Sequence, residues 1–498
     1  MKRKRSLSSS NNKKTAKSTE EKATSNSHNG TNSYHAFTMS EIPELRKLLL
    51  SWYDDNKRDL PWRQMAKEED ASKRGYAIWV SEIMLQQTQV ATVIDYYNKW
   101  MKKWPTLEAL ASATLEEVNE MWAGLGYYSR GRRLHEGAQK VVKDLQGQMP
   151  VTSVDLSKEL PGVGRYTAAA IASIAFGEAS GVVDGNVIRV FTRMRCIGAN
   201  STTPSVLESI WSLANQSVDP SRPGDFNQSM MELGATVCTP KTPACSTCPV
   251  QTLCKAKMQV DNVKMLSAKK LMGNSCKEED RSPSSIPDIE CIAENCHLCL
   301  PASESWDSSI GVMNYPRKPK KKPQREEKTA VCIIQRNKTP VEYLITQRPQ
   351  NGLLAGLWEF PSVTATDDTS EKRRHSAMDQ YLLEDLQMEF NDKTKRRYVG
   401  EVVHIFSHIH QTYLVETFQI GDDNNNSECP AESERQWRWV TKEQFLDSAV
   451  STAMKKVFKA YETDKKKPSS KHKSTKQVSS KKQLGLTAFF KPVTKEGK

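Results

Sequence analysis

No stretch of the 498-residue sequence approaches the ~18 consecutive apolar residues of a membrane span. Its first residues, MKRKRSLSSSNNKKTAKS, also lack the apolar segment of a secretory signal. Acidic residues are in the minority. Against 59 Asp and Glu stand 72 Lys and Arg, a formal net charge of +13 that favours a polyanionic partner, nucleic acid first. Part of that excess sits in the tails and so marks no binding face. Residues 1–40 are nearly devoid of apolar side chains and read as a disordered basic terminus, in which KRKR at Lys2–Arg5 is a candidate nuclear import signal. Nuclear localisation is the first expectation and a mitochondrial form the second. Eleven cysteines without a secretory signal point to metal or redox chemistry rather than disulfides.

Strand-like alternation is almost missing from the first half. From Ile42 to about Leu253 the apolar residues recur at helical spacing, and Ala77–Trp100, AIWVSEIMLQQTQVATVIDYYNKW, predicts one central helix. Residues 267–290 and 316–328 are polar, Pro-bearing and basic, as a linker would be. TAVCIIQ and VEYLITQRP then read as strands and open a second domain. The organisation expected is a mainly α domain at 41–262, a linker at 263–328, an α+β domain at 329–462 and a disordered basic tail at 463–498.

Leu160–Val190 carries the densest signal. Leu-Pro-Gly-Val-Gly is a turn whose glycines permit backbone angles other residues avoid. An Ala-rich helix follows at Tyr166–Phe176, and Asp184 then stands in a Gly-containing loop before the apolar-periodic Val187–Met194. Two readings stay open from the residues alone. One is an amide-rich hairpin that grips a phosphate with a carboxylate placed beside it; the other is an ordinary turn and an Asp N-cap.

Cys238, Cys245, Cys248 and Cys254 follow C-x6-C-x2-C-x5-C. Four thiols so close suit a tetrathiolate site. Structural zinc usually pairs two C-x-x-C knuckles and only one is present, so the spacing favours [4Fe–4S] over zinc.

The hairpin, Asp184 and the four-cysteine loop together resemble the helix-hairpin-helix DNA glycosylases of the endonuclease III type. Within them SEIMLQQTQV at Ser81–Val90 and GLGYYSR at Gly124–Arg130 look like the MutY branch, in its mammalian form with an added C-terminal domain. The resemblance covers residues 41–461. It implies a helix-hairpin-helix glycosylase domain with a [4Fe–4S] loop, and excision of adenine mispaired with 8-oxoguanine or guanine in duplex DNA by hydrolysis of the N-glycosidic bond. The adenine must leave the stack for this, since the sugar–base bond cannot be reached inside a duplex.

The resemblance also assigns roles. Glu82 matches the general acid that protonates adenine, and its neighbours Val80, Ile83, Met84 and Leu85 would raise its pKa by burial. Asp184 matches the carboxylate that stabilises or traps the sugar cation. Tyr166 and Asn186 match residues supporting that intermediate and the water. Strand-cleaving relatives carry a Schiff-base lysine at the position of Tyr166, so a monofunctional enzyme is implied. Gln87 and Tyr127 match side chains that wedge into the duplex, with Gln86 close to the bases. The amides of Gly162 and Gly164, with Arg165, would hold phosphate, and Lys241 would face DNA.

In the linker, Cys291, Cys296 and Cys299 form C-x4-C-x2-C, and the resemblance implies a zinc site there. The candidates for a fourth ligand are His35, His297 and Cys276, of which His35 is preferred because SYHAF looks like the family's N-terminal extension. SWDSSIGVMNYPRK, which follows, is a candidate dock for a checkpoint clamp. NGLLAGLWEFPSV at Asn351–Val363 resembles the Nudix fold, but the acidic R-E-x-x-E-E helix is missing after it, so the domain is expected to read 8-oxoguanine through Phe406, Ser407 and His408 rather than hydrolyse nucleotides. Gln483, Leu486, Phe489 and Phe490 in the tail fit a sliding-clamp (PCNA) box. The chain is expected to act as a monomer. Three rival readings remain: a bifunctional glycosylase for oxidised pyrimidines, opposed by Tyr166; a nucleotide sanitiser, opposed by the missing acidic helix; and a silent repair scaffold, opposed by Glu82 and Asp184.

Overall fold

A computed structural model describes residues 34–271, 291, 296–301, 303–304, 306–317, 323–349, 352–365, 370–388, 396–406, 408–420 and 435–466. The candidate import signal, Cys276, Ser407 and the candidate clamp box lie outside the described residues. The chain divides into two compact units, one of Met1–Thr114 with Arg130–Lys321 and one of Leu115–Ser129 with Lys322–Lys498. The division departs from the ranges read from sequence in that residues 115–129 pack with the C-terminal unit.

The helices in chain order are α1 (Glu41–Asn56), α2 (Pro61–Met65), α3 (Ala71–Leu85), α4 (Val90–Lys103), α5 (Leu107–Ala111), α6 (Leu115–Trp122), α7 (Ser129–Asp144), α8 (Ser153–Glu159), α9 (Arg165–Phe176), α10 (Gly185–Met194), α11 (Pro204–Ser217), α12 (Pro223–Thr236) and α13 (Lys255–Leu271). Apart from an isolated bridge between Asn200 and Arg317, the described residues before Arg325 hold no strand. One core of the first unit gathers Leu45 and Leu49 of α1, Ala169 and Ala170 of α9, Val187 and Phe191 of α10, Ile210 of α11, and Phe226, Met230 and Leu233 of α12. Each large apolar side chain buried there contributes about 1.5–3 kcal/mol relative to exposure. The small side chains of α9 let α3 and α12 lie close against it.

The single helix expected from Ala77 to Trp100 is in fact two, α3 and α4, broken at Gln86–Gln89. Arg130 explains the break. Its buried guanidinium donates through Nη1 to the carbonyls of Ile83, Met84 and Gln86 at 2.9, 2.8 and 2.5 Å, and through Nη2 to Thr88 Oγ1 at 3.1 Å. The last carbonyls of α3 are thus satisfied by a side chain instead of a further turn, and Gln87 takes φ +58°.

The second unit is built on a mixed sheet. Its elements are β1 (Arg325–Arg336), β2 (Glu342–Gln347), β3 (Trp358–Glu359), β4 (Ser362–Ala365), α14 (Glu371–Glu384), β5 (Arg397–Ile405), β6 (Ile409–Ile420), β7 (Trp437–Thr441), α15 (Lys442–Asp447) and α16 (Thr452–Lys465). The strand path is β3-β2-β1-β6-β5, with β4 on β1 and β7 on β2. Only β1 and β6 run parallel among these pairs. Cys332 and Ile334 of β1, Leu344 of β2, Met378 and Leu382 of α14, Phe418 of β6 and Trp437 of β7 form one core.

Both linker boundaries differ from expectation. The helix α13 continues to Leu271 because Lys, Met, Leu and Ala are good helix formers despite their polarity. At the other end, Arg325–Lys328 already pair with Ile409–Thr412, since charged residues suit the exposed and half-exposed start of a strand whose backbone partners are supplied.

Candidate active site

Asp184 is the N-cap of α10. Its Oδ1 accepts the Val187 amide at 2.7 Å, and its Oδ2 accepts Asn186 Nδ2 at 2.8 Å. Asn186 is turned this way because its Oδ1 accepts Arg189 Nη2 at 2.8 Å, leaving the amide NH2 for the carboxylate. Arg189 is itself anchored on the carbonyls of Gly234 at 2.6 Å and Cys238 at 2.7 Å. The N-cap reading and the site reading therefore describe one carboxylate. Burial pushes its pKa above the ordinary value, against the pull of the Val187 and Asn186 hydrogen bonds and the Arg189 charge.

Glu82, from α3, is 5% exposed. Burial pushes its carboxyl up to about 7; the Tyr166 hydroxyl pulls the other way and the charge of Asp184 adds to the rise. Tyr166, in the first turn of α9, places its hydroxyl 3.0 Å from Glu82 Oε2 and 3.3 Å from Met231 Sδ. Burial, then the two carboxylates, drive the tyrosine pKa well above its usual value, so Tyr166 stays a donor. The arrangement offers an acid that still holds a proton near neutrality, a fixed hydroxyl and a second carboxylate. That combination can protonate a leaving group and stabilise the cation left behind.

Three residues escaped the sequence reading. Glu232, next to Met231 on α12, is buried and accepts Arg58 Nε at 2.6 Å, Arg58 Nη2 at 2.9 Å and Arg63 Nη2 at 2.8 Å. Burial alone would raise its pKa, but the two guanidinium groups hold it below the ordinary value. Two arginines flanking Asp-Leu-Pro-Trp, where Pro61 starts α2, were the available signal.

The hairpin splits its glycines. Gly162 stands at φ +78°, and a Cβ there would come within 2.8 Å of Arg133 Cδ, so only glycine fits. Gly164 has φ −90° and needs no special angle; a Cβ on it would meet nothing, which leaves the N-terminus of α9 open to a ligand. Arg165 beside it is exposed, stacks 4.0 Å over the Trp211 ring and pairs with Glu208.

Cys238, Cys245, Cys248 and Cys254 all line one small pocket. They surround a space rather than a point: among the described residues, these thiols do not form a group whose ligand atoms lie within 4.8 Å of one another. Four thiols around one pocket are a donor set that fits a metal site or a cluster. Arg193 donates to Cys238 Sγ at 3.3 Å, a contact of the kind that tunes cluster ligands. Lys241 is exposed on the same loop.

Residues 80–216 match the HhH-GPD superfamily of base excision DNA repair proteins, and residues 330–460 match the NUDIX domain. The chain is 54% identical over 438 residues to the adenine DNA glycosylase of Homo sapiens, across 86% of this chain and 76% of that one. It is 40% identical over 453 residues to the adenine DNA glycosylase of Arabidopsis thaliana, across 84% and 65%. Among solved structures, a thermostable thymine-DNA glycosylase is 28% identical, with 44% of this chain and 98% of that one covered and a TM-score of 0.39. The chain belongs to the adenine DNA glycosylases.

As a member of that family, the chain is a base excision repair enzyme that hydrolyses an N-glycosyl bond. The expected fold, a helical glycosylase domain and a Nudix-like α+β domain, is borne out. The remaining site residues of this adenine DNA glycosylase fall as follows. Gln86 Nε2 donates to Thr167 Oγ1 at 3.1 Å. Gln87 and Tyr127 are both exposed and both hold left-handed backbone, φ +58° and +49°. Residues with side chains keep such angles only where their surroundings impose them, often at functional sites.

The linker cysteines meet His35. The ligand atoms of His35, Cys291, Cys296 and Cys299 all lie within 4.8 Å of one another. His35 Nδ1 donates to the Arg195 carbonyl at 2.8 Å, which leaves the Nε2 lone pair facing Cys299 Sγ at 3.2 Å. Of the alternatives, His297 is exposed and lies 3.3 Å from Ser209 Oγ instead. In the second unit, the Phe406 ring packs edge-on against His404 at 4.6 Å, and the Phe406 amide donates to the Ile409 carbonyl at 2.8 Å. His408 is exposed, and its carbonyl accepts the Arg325 amide at 3.1 Å. Where an active Nudix helix is acidic, α14 turns Arg374 and His375 onto Glu416.

Proposed function

We propose that this adenine DNA glycosylase acts on adenine paired with 8-oxoguanine or guanine, and that it stops at the abasic site. The observation that carries the reading is the bridge from Tyr166 to Glu82, with Asp184 alongside. Glu82 supplies the proton to the adenine ring. Asp184, with one oxygen committed to the α10 cap and the other to Asn186, is rigid enough to face the developing sugar cation. Tyr166 has no amine, so the abasic sugar is released without Schiff-base formation. Gln87 and Tyr127 wedge the duplex, and Phe406 to His408 read the oxidised base, where one good hydrogen-bond pair discriminates by ~1–3 kcal/mol.

Two resident groups go with this reading. A [4Fe–4S] cluster held by Cys238, Cys245, Cys248 and Cys254 would fix the loop after α12 that anchors Arg189. A zinc ion held by His35, Cys291, Cys296 and Cys299 would tie the N-terminal segment to the linker; the donor set and the orienting Arg195 carbonyl suit it. The partners proposed besides DNA are a sliding clamp at the tail box and a checkpoint clamp at residues 305–318, with the enzyme itself a monomer.

The test is single-turnover cleavage of duplexes carrying adenine opposite 8-oxoguanine, adenine opposite guanine, or thymine glycol, with Asp184→Asn as control. Excision of adenine in the first two, faster for the first, with nothing from thymine glycol or from Asp184→Asn, is expected. Cleavage of thymine glycol would overturn the substrate reading.

A further inference from the structure

The second unit holds residues 115–129 at both ends. Near the start, Glu116 of α6 accepts Trp358 Nε1 at 3.3 Å and pairs with Arg438 Nη1 at 3.1 Å. The Arg438 guanidinium lies 4.2 Å over the Trp358 ring and donates through Nη2 to Ser448 Oγ at 3.1 Å. Trp358 is buried, and its backbone amide donates to the Ala449 carbonyl at 3.0 Å. Near the far end, the buried Tyr128 accepts the Gly124 amide on its hydroxyl oxygen at 3.1 Å and points the hydroxyl at the Val450 carbonyl, 3.5 Å away.

Between these two grips the chain makes a turn that costs conformational energy. Gly124, Gly126 and Tyr127 stand at φ +98°, +79° and +49°, and Trp122 Nε1 closes the turn on the Gly126 carbonyl at 3.0 Å. Its product is a tyrosine side chain half exposed to solvent. A left-handed residue with a side chain persists only when its surroundings over-determine it. Here Trp358, Arg438 and Val450, all from the C-terminal part of the chain, belong to those surroundings.

We propose that Glu116 and Tyr128 are positioning residues through which the second unit sets the Tyr127 wedge. The unit that reads 8-oxoguanine then also holds the blade that opens the duplex. This rests on reading Tyr127 as the wedge and Phe406–His408 as the lesion reader. It follows that the grip acts on base extrusion, before chemistry, and acts alike whatever base stands opposite the adenine.

The test uses the full chain and duplexes with 2-aminopurine as the extruded base, followed by stopped-flow fluorescence beside single-turnover adenine excision. Glu116→Ala and Arg438→Ala should each slow extrusion about threefold to tenfold. The double variant should be no slower than the worse single one. Excision opposite 8-oxoguanine and opposite guanine should fall by the same factor. Glu116→Gln, which keeps an acceptor for Trp358, should recover part of the loss. Wild-type extrusion in Glu116→Ala, or losses that simply add in the double variant, would overturn the proposal even if its unfolding midpoint drops. If Tyr127→Ala extrudes normally, the wedge reading fails and takes the proposal with it. If Tyr127→Ala is slow and Glu116→Ala is not, only the proposal fails.

Discussion

The Tyr166 hydroxyl lies 3.0 Å from Oε2 of Glu82, so the residue whose place the resemblance assigns to a lysine in strand-cleaving relatives is hydrogen-bonded to the candidate acid. A lysine here would place an amine beside the same carboxylate and within reach of the abasic sugar. Tyr166→Lys should therefore form a borohydride-trapped adduct with lesion DNA, while the wild-type enzyme forms little. A strong wild-type adduct would remove the monofunctional assignment.

The raised pKa of Glu82 predicts a descending limb. Adenine excision, read as kcat/KM, should fall as pH rises through about 7, where Glu82 gives up its proton. Tyr166→Phe removes a hydrogen bond that favours the charged form, so the limb should move to higher pH. Stability follows the same proton. Between the ordinary value of 4.5 and about 7 the folded chain binds the proton more tightly than the unfolded one. Stability is therefore lost as pH rises across that window. Glu82→Gln keeps the shape and cannot ionise. It should abolish excision yet raise the unfolding midpoint by a few °C at pH 8 and leave it nearly unchanged at pH 4.5. A midpoint lowered at pH 8 would count against a buried charge at this position.

The four-ligand cluster makes a separable prediction. Wild-type protein should carry one zinc per chain, and Cys296→Ser or His35→Ala should lose it, because a closed structural site needs all four ligands. His297→Ala should keep full zinc. Metal analysis that finds unchanged zinc in Cys296→Ser would remove the site.

How far the sequence carried the reading depends on whether a feature is local. The N-cap at Asp184, the Ala-rich α9 and the β-branched strands of the second unit were legible, since propensity and pattern act within a few residues. The burial of Glu82 was legible in direction from its apolar neighbours. The break between α3 and α4 was not, because its cause is Arg130, more than forty residues away, and the apolar period runs through the gap unbroken. Glu232 with Arg58 and Arg63 was missed for the same reason: over 160 residues separate the partners, and each reads alone as a surface charge. The choice of His35 rested on a resemblance, and only the fold brings it against cysteines more than 250 residues later. The contacts of α6 with Trp358 and Arg438 had no trace in the order of elements, since α6 lies deep within the helical range.

Arg130 gives the last prediction, because it separates stability from function. Its guanidinium satisfies three carbonyls at the end of α3, and removing it leaves those acceptors buried without a donor, at about 1–3 kcal/mol for such a group. Arg130→Met keeps much of the stem and loses every hydrogen bond. It should lower the unfolding free energy by about 2–4 kcal/mol. Lysine can reach one carbonyl but not three in a plane, so Arg130→Lys should recover only part of the loss. Without the clamp the break at Gln87, φ +58°, keeps only its local support, such as the Thr88 amide on the Leu85 carbonyl, and α3 can continue toward α4 as its apolar period favours. If Gln87 is the wedge proposed above, binding to mispaired DNA should then weaken more than binding to matched duplex. Parallel affinity measurements on the two duplexes check this. An equal loss on both, or none, would mean that Arg130 serves the fold alone.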